Sequence, residues 1–482
     1  MSPWPDYILR VRALEKADAK LSANPDDVDT LFERARLLTD LGRLEEARNA
    51  YMAVIQRAPA HFGALNNLGG NLHATGFRSA ARTAYAEAVA RHPLNPLGHF
   101  NLGNLLREEG DSVGARAEYE AALRLDPDHA ESHRGMALIL LESGATEEAT
   151  AHLRAGFRHG AVTVLPYRGP QEPIPVLLLV AAAQGNAPFQ ALLDDRVFRV
   201  TVMVTDFCDP TQELPPHRLV VNAIGDADLC GAALDSAARL VARTGAPVIN
   251  SPAAVKQTGR ADNATRLAGI PGVITPATVN VSKELLQSSN ACAAIQALGF
   301  TFPFLLRSPG FHIGRYFNFI ATEEDLAAAA ATLPGETLAL IRYLDASGAD
   351  GKMRKYRVMM IDGQLYPAHL AVAHQWKIHY FSADMADNAG HRAEDAAFLS
   401  DMPGVLGPQA MQALKDIRDR LGLDYAGIDF GLDRDGRILF FEANASMTIH
   451  PPPPDERWSF RREPVARILE AARAMLRKRA DP

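Results

Sequence analysis

The segment GIDFGLDRDGRILFFEANASM, residues 427–447, runs from one apolar stretch through a polar turn into another. The pattern predicts a β-hairpin, reversed at Asp433-Arg434-Asp435-Gly436. Ile438, Leu439, Phe440 and Phe441 lead straight into Glu442, and Asn444 follows two residues later. Residues two apart on a strand share a face, so Glu442 and Asn444 point the same way. Asp429, on the partner strand, can meet them there. Two carboxylates and an amide oxygen are a hard oxygen set of the kind Mg²⁺ takes, usually shared with substrate phosphates. The bland alternative is a solvated surface hairpin. A carboxylate that starts at the end of a buried run needs a partner, which favours the metal reading.

The Asp429…Glu442-Ala443-Asn444 pattern resembles the metal-binding end of the ATP-grasp superfamily. That superfamily includes glutathione synthetase, D-alanine–D-alanine ligase and the ligases that add glutamate to protein ends. The resemblance covers about residues 170–480. It implies an α/β pre-ATP-grasp domain over 176–270 and an α+β ATP-grasp domain over 271–482.

Upstream motifs extend it. TFPFLLR, residues 301–307, reads as a strand ending in a cation, and a loop holding Gly310, His312 and Gly314 follows. Glycines let loop N–H groups wrap phosphates, and a cation answers their charge. The resemblance implies ATP contacts here. Arg307 stands where a lysine is usual, and Arg260 lies near an earlier expected basic residue. LALIRYL, residues 338–344, resembles the linker strand that receives adenine, which puts Ile341, Tyr343 and Leu344 on the base and Asp345 on the ribose, with Asp350 close by. Residues 355–364, KYRVMMIDGQ, predict a strand and a tight Asp-Gly hairpin. By register Arg357 takes the position from which the superfamily projects an arginine. A planar guanidinium suits an acyl phosphate and its oxyanion.

AHLAVAHQWKIHYF, residues 368–381, carries three histidines besides Trp376 and Lys377 but lacks zinc-ligand spacing. It reads as one lip of a substrate pocket, with His374, Trp376 and His379 as candidates beside Met447. Residues 387–402 are polar and read as a loop. Met411, Leu414, Ile417 and Leu421 recur at helical spacing within 408–421. The cations of the basic helix expected over 464–479 read as a solvated face rather than a nucleic-acid surface.

The first third is periodic. Pro25, Pro59, Pro93 and Pro127 fall 34 residues apart, as do Gly42, Gly76, Gly110 and Gly144. Ala47, Ala81, Ala115 and Ala149 keep the same step, and so do Leu38, Leu72, Leu106 and Leu140. Tyr51, Tyr85 and Tyr119 follow it too, with Leu153 closing the series. The period and its punctuation resemble tetratricopeptide repeats, giving an all-α solenoid over 1–160. Its concave face predicts a peptide or protein partner; a structural or homodimerising appendage is the equal alternative. Asn66, Asn67, Asn71, Asn101 and Asn104 could bond an extended backbone there, or simply be solvated. Residues 161–175 are rich in Pro and Gly and read as a linker. Short apolar runs at 176–180, 198–204, 218–223 and 247–250 then alternate with a helix over 229–244, as in a doubly wound sheet. The Gln184-Gly185-Asn186 loop at the end of the first strand suits ligand binding.

Composition fits a globular chain of several domains, with 47% hydrophobic and 22% charged residues. A net charge of −7 offers no reason to expect nucleic acid or an anionic membrane. Cys208, Cys230 and Cys292 lack metal spacing and suit a reducing cytoplasm. No signal peptide is expected, nor any membrane span. The resemblance as a whole implies a carboxylate–amine ligase that uses ATP and Mg²⁺ and passes through an acyl phosphate, on small-molecule carboxylate and amine substrates. Two variants stand beside it: a peptide- or protein-modifying ligase whose repeats hold the substrate, and a non-catalytic, nucleotide-sensing scaffold.

Overall fold

The computed structural model describes residues 4–158, 160–209, 211–309, 316–378, 380, 383–453 and 455–481. The chain divides into two compact units. The first comprises Met1–Ala161 with the segments Pro166–Pro173 and Asp195–Val197, and the second takes Val162–Leu165, Ile174–Asp194 and Phe198–Pro482.

Nine described helices build the first unit: α1 (Trp4–Ala23), α2 (Val28–Asp40), α3 (Leu44–Arg57), α4 (Phe62–Ala74), α5 (Arg78–Arg91), α6 (Pro96–Glu108), α7 (Ser112–Leu125), α8 (Ala130–Glu142) and α9 (Thr146–Phe157). The 34-residue punctuation has its physical cause in the turns. Gly42, Gly76, Gly110 and Gly144 all adopt positive φ, from 74° to 86°, which lets each first helix end and its partner fold back. The four periodic alanines are fully buried, so paired helices approach closely. Tyr51, Tyr85 and Tyr119 fill the space between repeats. A Cβ on Gly103 would come within 2.9 Å of the Tyr119 ring, and one on Gly69 within 2.7 Å of Tyr85. The absent side chains are therefore what admits the rings.

Asn66 and Asn71 are buried and Asn67, Asn101 and Asn104 half-buried, and they bond within the array. Asn101 Nδ2 donates to Asn66 Oδ1 at 2.7 Å, and the Tyr119 hydroxyl donates to Asn104 Oδ1 at 2.6 Å. Asn71 Nδ2 donates to the Leu44 carbonyl at 2.9 Å. These side chains stitch neighbouring helices together.

Among the described residues the second unit holds three mixed or antiparallel sheets. Strands β1 (Val162–Val164), β2 (Ile174–Val180), β3 (Phe198–Val204), β4 (Leu219–Asn222) and β5 (Val248–Ile249) form the first, in the order β1-β3-β2-β4-β5. All its pairs are parallel except β1 with β3. The segment expected to be only a linker thus contributes an edge strand. β6 (Val273–Ile274) comes next in the chain, followed by β7 (Thr278–Ser282), β8 (Phe304–Arg307), β9 (Phe317–Ile320) and β10 (Thr337–Arg342). The last four make an antiparallel sheet in the order β7-β10-β8-β9. Finally β11 (Met353–Ile361), β12 (Gln364–Ala373), β13 (Tyr425–Leu432) and β14 (Ile438–Asn444) join β6 in the order β12-β11-β13-β14-β6.

The hairpin over 427–447 is therefore β13–β14. Every residue of β13 but the last is buried, so it is a central strand rather than a surface ribbon. Asp433 builds the turn, its Oδ1 accepting the N–H groups of Asp435 and Arg437. One expectation fails locally. Ala389–Ser400 is a helix, not a loop: Asn388 caps it, and Phe398 and Leu399 anchor it in the core. The helix expected over 408–421 is present: Gly407, at φ 77° and ψ 168°, breaks the helical backbone just before Pro408, and a separate helical stretch from Met402 precedes it. In the basic helix Arg462–Ala480 the cations Arg467, Arg477 and Lys478 are exposed, as expected, while Val465, Ile468, Ala472, Met475 and Leu476 bury the other face. No helix among the described residues is long and apolar enough to cross a membrane.

Candidate functional site

Strand register builds the site. Arg357 on β11 pairs across to Asp429 on β13, and Asp429 pairs across to Glu442 on β14. On the other side of β11, Arg357 faces His369 of β12. Four neighbouring strands thus set His369, Arg357, Asp429 and Glu442 in one row. Lys355 sits two residues before Arg357, on the same face.

Asp429 is the centre of the row and is 4% exposed. Its Oδ1 accepts Arg357 Nε at 2.6 Å, and its Oδ2 accepts Arg357 Nη2 at 2.8 Å and Lys355 Nζ at 3.0 Å. Burial opposes ionisation of this carboxyl, but Arg357 and Lys355 outweigh it and hold the group far below the usual carboxylate range. Glu442 Oε1 accepts Arg260 Nη2 at 2.5 Å and Asn444 Nδ2 at 3.0 Å. Asn444 Oδ1 in turn accepts the N–H and hydroxyl of Ser446. Two carboxylates directly opposite on adjacent strands would repel; Arg260, Lys355 and Arg357 compensate. His369 is driven well below its ordinary value by burial and then by Arg357, so its imidazole is neutral at neutral pH.

The opposite wall comes from the antiparallel sheet β7-β10-β8-β9. Arg307, the last residue of β8, is 6% exposed and lies 5.6 Å from the Phe317 ring centre. Burial and then Arg260 push it down to about 10, so it stays cationic at neutral pH. Both walls face one cleft of about 710 Å³. Among its described lining residues are the cations Arg260, Arg307, Arg342, Lys355, Arg357, Lys377 and Arg461, against the carboxylates Asp429 and Glu442.

Most of the residues singled out from sequence line this cleft: Arg260, Arg307, Ile341, Tyr343, Leu344, Arg357, Trp376, Asp429, Glu442, Asn444 and Met447. Gly310, His312, Gly314 and His379 lie outside the described residues. Asp345 and His374 do not line the cleft and are exposed. Asp345 closes a local turn instead, accepting the Ser347 N–H at 2.9 Å. β10 stops at Arg342, so Tyr343, Leu344 and Asp345 follow the strand rather than extend it. Arg357 spends two of its donors on Asp429, so its first task is to hold that carboxylate. Lys355, His369 and Arg461 were missed as site residues. The alternation of Lys355 with Arg357 could have flagged the first; the other two emerge only from the pairing of distant segments.

The metal reading can be weighed on the donors. Among the described residues no group of three or more His, Cys, Asp or Glu side chains gathers in ligating geometry. The oxygens of Asp429 both carry cationic donors, whereas Glu442 Oε2 accepts no hydrogen bond from a described residue. Oxygen donors suit Mg²⁺, and of the carboxylate oxygens of Asp429 and Glu442 it is Glu442 Oε2 that stands open to it among the described residues.

Comparison with known proteins supports the first unit. Models of the tetratricopeptide repeat match residues 28–61, 67–120 and 106–161. Similar solved structures include a MamA fragment from Desulfovibrio magneticus, 19% identical over 31% of this chain and 84% of its own, with a TM-score of 0.29. Another is YrrB, titled a TPR protein with an unusual peptide-binding site, 18% identical over 30% of this chain and 76% of its own, at 0.28. A thermophilic TPR protein of Thermus thermophilus is 22% identical over 30% of this chain and 81% of its own, at 0.27. No curated protein matches the chain. Residues 28–161 are tetratricopeptide repeats, and the first unit is the solenoid they form.

Proposed function

We propose that the second unit is an ATP-dependent carboxylate–amine ligase of the ATP-grasp kind, and that the repeats hold a peptide or protein partner. The observation that carries the reading is the charge of the cleft. Among the described lining residues seven cations face the two carboxylates Asp429 and Glu442, with Asp228 behind them 4.0 Å from Arg260. That surplus suits a polyphosphate. In the reaction a substrate carboxylate takes the γ-phosphoryl group of ATP and ADP leaves. An amine then displaces phosphate, giving an amide and releasing a proton.

Arg307 and Arg260 neutralise phosphate charge. Arg357 and Lys355 keep Asp429 ionised and fixed. Glu442 and Asn444, with Asp429, would hold Mg²⁺, which supplies positive charge to the phosphate oxygens. The residues thereby contribute positioning and charge neutralisation, the main sources of rate in phosphoryl transfer. The pairing of both acids with protein cations favours one second reading, a repeat scaffold that binds nucleotide without turnover.

A screen of ADP release against amino acids and short peptides separates the two. The ligase reading expects release that depends on an added substrate, and its loss in Glu442→Gln with thermal melting unchanged. ATP binding without release under any substrate would leave the scaffold. Turnover in Glu442→Gln near the parent level would overturn the role of that carboxylate.

A further inference from the structure

The cleft has an apolar end. The Trp376 ring lies 5.2 Å from Phe317 and 5.8 Å from Phe319, and Phe319 lies 5.0 Å from Tyr343. The Tyr343 hydroxyl reaches Met353 Sδ at 3.9 Å. Arg307 lies over Phe317, so this end adjoins a cation assigned to phosphate. A flat apolar group joined to phosphates, as in a nucleotide, matches that order. One wall here is the connection between β10 and β11, residues 343–352. Tyr343, Leu344 and Ala346 line the cleft from it, beside Met353 at the start of β11.

Apart from a single bridge between Ser347 and Met353, this wall has no strand or helix of its own. Such a segment keeps a fixed shape only through other ties. The Gly348 N–H donates to the Lys352 carbonyl at 2.9 Å, and the Arg354 N–H to that of Ala346 at 3.3 Å. Ala346 is 5% exposed and backs onto β13, where a Cβ on Gly431 would meet its own Cβ at 2.5 Å.

Arg354 then ties the turn down from outside the cleft. Its Nη1 and Nη2 donate to Asp350 Oδ1 and Oδ2, both at 2.9 Å. Its Nε donates to Glu394 Oε2 at 2.8 Å, and Nη2 also to Oε1 at 3.1 Å. Isolated surface pairs are worth little, but a bidentate fork within a network is the exception. Glu394 sits on the helix Ala389–Ser400, which is itself a fixed post. Its next residue, Asp395, is fully buried and accepts the Leu370 N–H of β12 and the Tyr380 hydroxyl, each at 2.8 Å. Lys352 Nζ adds a second tie, donating to His391 Nε2 of the same helix at 2.9 Å.

We propose that Arg354 is a positioning residue for the nucleotide: by joining Asp350 to Glu394 it holds the 343–352 wall in place for the base, without touching the ligand. This role rests on the nucleotide reading given above. A wall held ready spares the ligand the cost of ordering it. Without the tie, affinity falls by the fraction of molecules that still present the wall. The loss is confined to ligands that reach the apolar end.

The test titrates the full chain by calorimetry with ATP and with inorganic tripolyphosphate, each with Mg²⁺. The parent should bind ATP more tightly than tripolyphosphate, which lacks the base. Arg354→Gln should weaken ATP by about tenfold, as when about one molecule in ten keeps the wall, and leave tripolyphosphate unchanged. Asp350→Asn should do the same in the same direction; its side chain is 43% exposed, so it guards against a misfolded arginine variant. The two changes together should be no worse than Arg354→Gln alone, because they break one tie. Unchanged ATP affinity in both variants would overturn the proposal, as would an equal loss for both ligands, the mark of a general loosening. Equal parental affinity for the two ligands would also refute it. A parent that binds neither refutes the nucleotide reading and this role together, whereas binding that both variants retain in full refutes this role alone.

Discussion

The array and the second unit bury polar groups by opposite means. In the array each partner is a neighbour in the repeat: Tyr119 reaches Asn104, 15 residues back, and Asn101 reaches Asn66, 35 back. In the second unit Arg260 meets Glu442 across 182 residues, and Lys355 meets Asp429 across 74. A solenoid is held by nearest-neighbour contacts, so damage stays local. A row of charges across four strands is a single object, and removing one member leaves the others buried and unpaired.

The largest effect should come from breaking that row. Arg357→Ala strips Asp429 of its bidentate partner and leaves only Lys355. Losing one side of a buried pair typically costs about 3–5 kcal/mol, and the second unit's urea transition should fall accordingly while the array's stays put. The same carboxylate sets a pH dependence. Its folded pKa is depressed below the ordinary value of 3.8 by Arg357 and Lys355. The stability it contributes is therefore complete above about pH 4 and lost as pH falls further. Arg357→Ala should flatten that acid limb.

A smaller effect is expected in the array. Gly103→Ala sets a methyl 2.9 Å from the fully buried Tyr119 ring. Overpacking of this kind costs about 1–3 kcal/mol. The array's transition should drop while the second unit's holds. A shift of both transitions together would erase the contrast between local and convergent construction. Smallest of all, Tyr119→Phe deletes the 2.6 Å bond to Asn104 and should cost about 1 kcal/mol by the same measurement.

The two regions also differ in what their sequences disclose. Every helix turn of the array was legible, because Gly42, Gly76, Gly110 and Gly144 mark the same positive-φ position four times. The hairpin carrying Asp429 and Glu442 was legible too, from its turn residues and apolar flanks. The partners of those acids were not. Arg260 joins Glu442 and His369 joins the row only through the pairing of distant strands, which no local pattern encodes. Asn388 capping turned an apparent loop into a helix for a related reason: Phe398 and Leu399 find their burial in the tertiary core.

The central claim, a cleft shaped for a polyphosphate, is tested most directly by titrating ATP with Mg²⁺ into the full chain and into Arg307→Ala by calorimetry. The account predicts saturable binding of one ATP per chain, weakened at least about tenfold by the loss of one charged phosphate contact. No saturable binding, or unchanged affinity in Arg307→Ala, would contradict it.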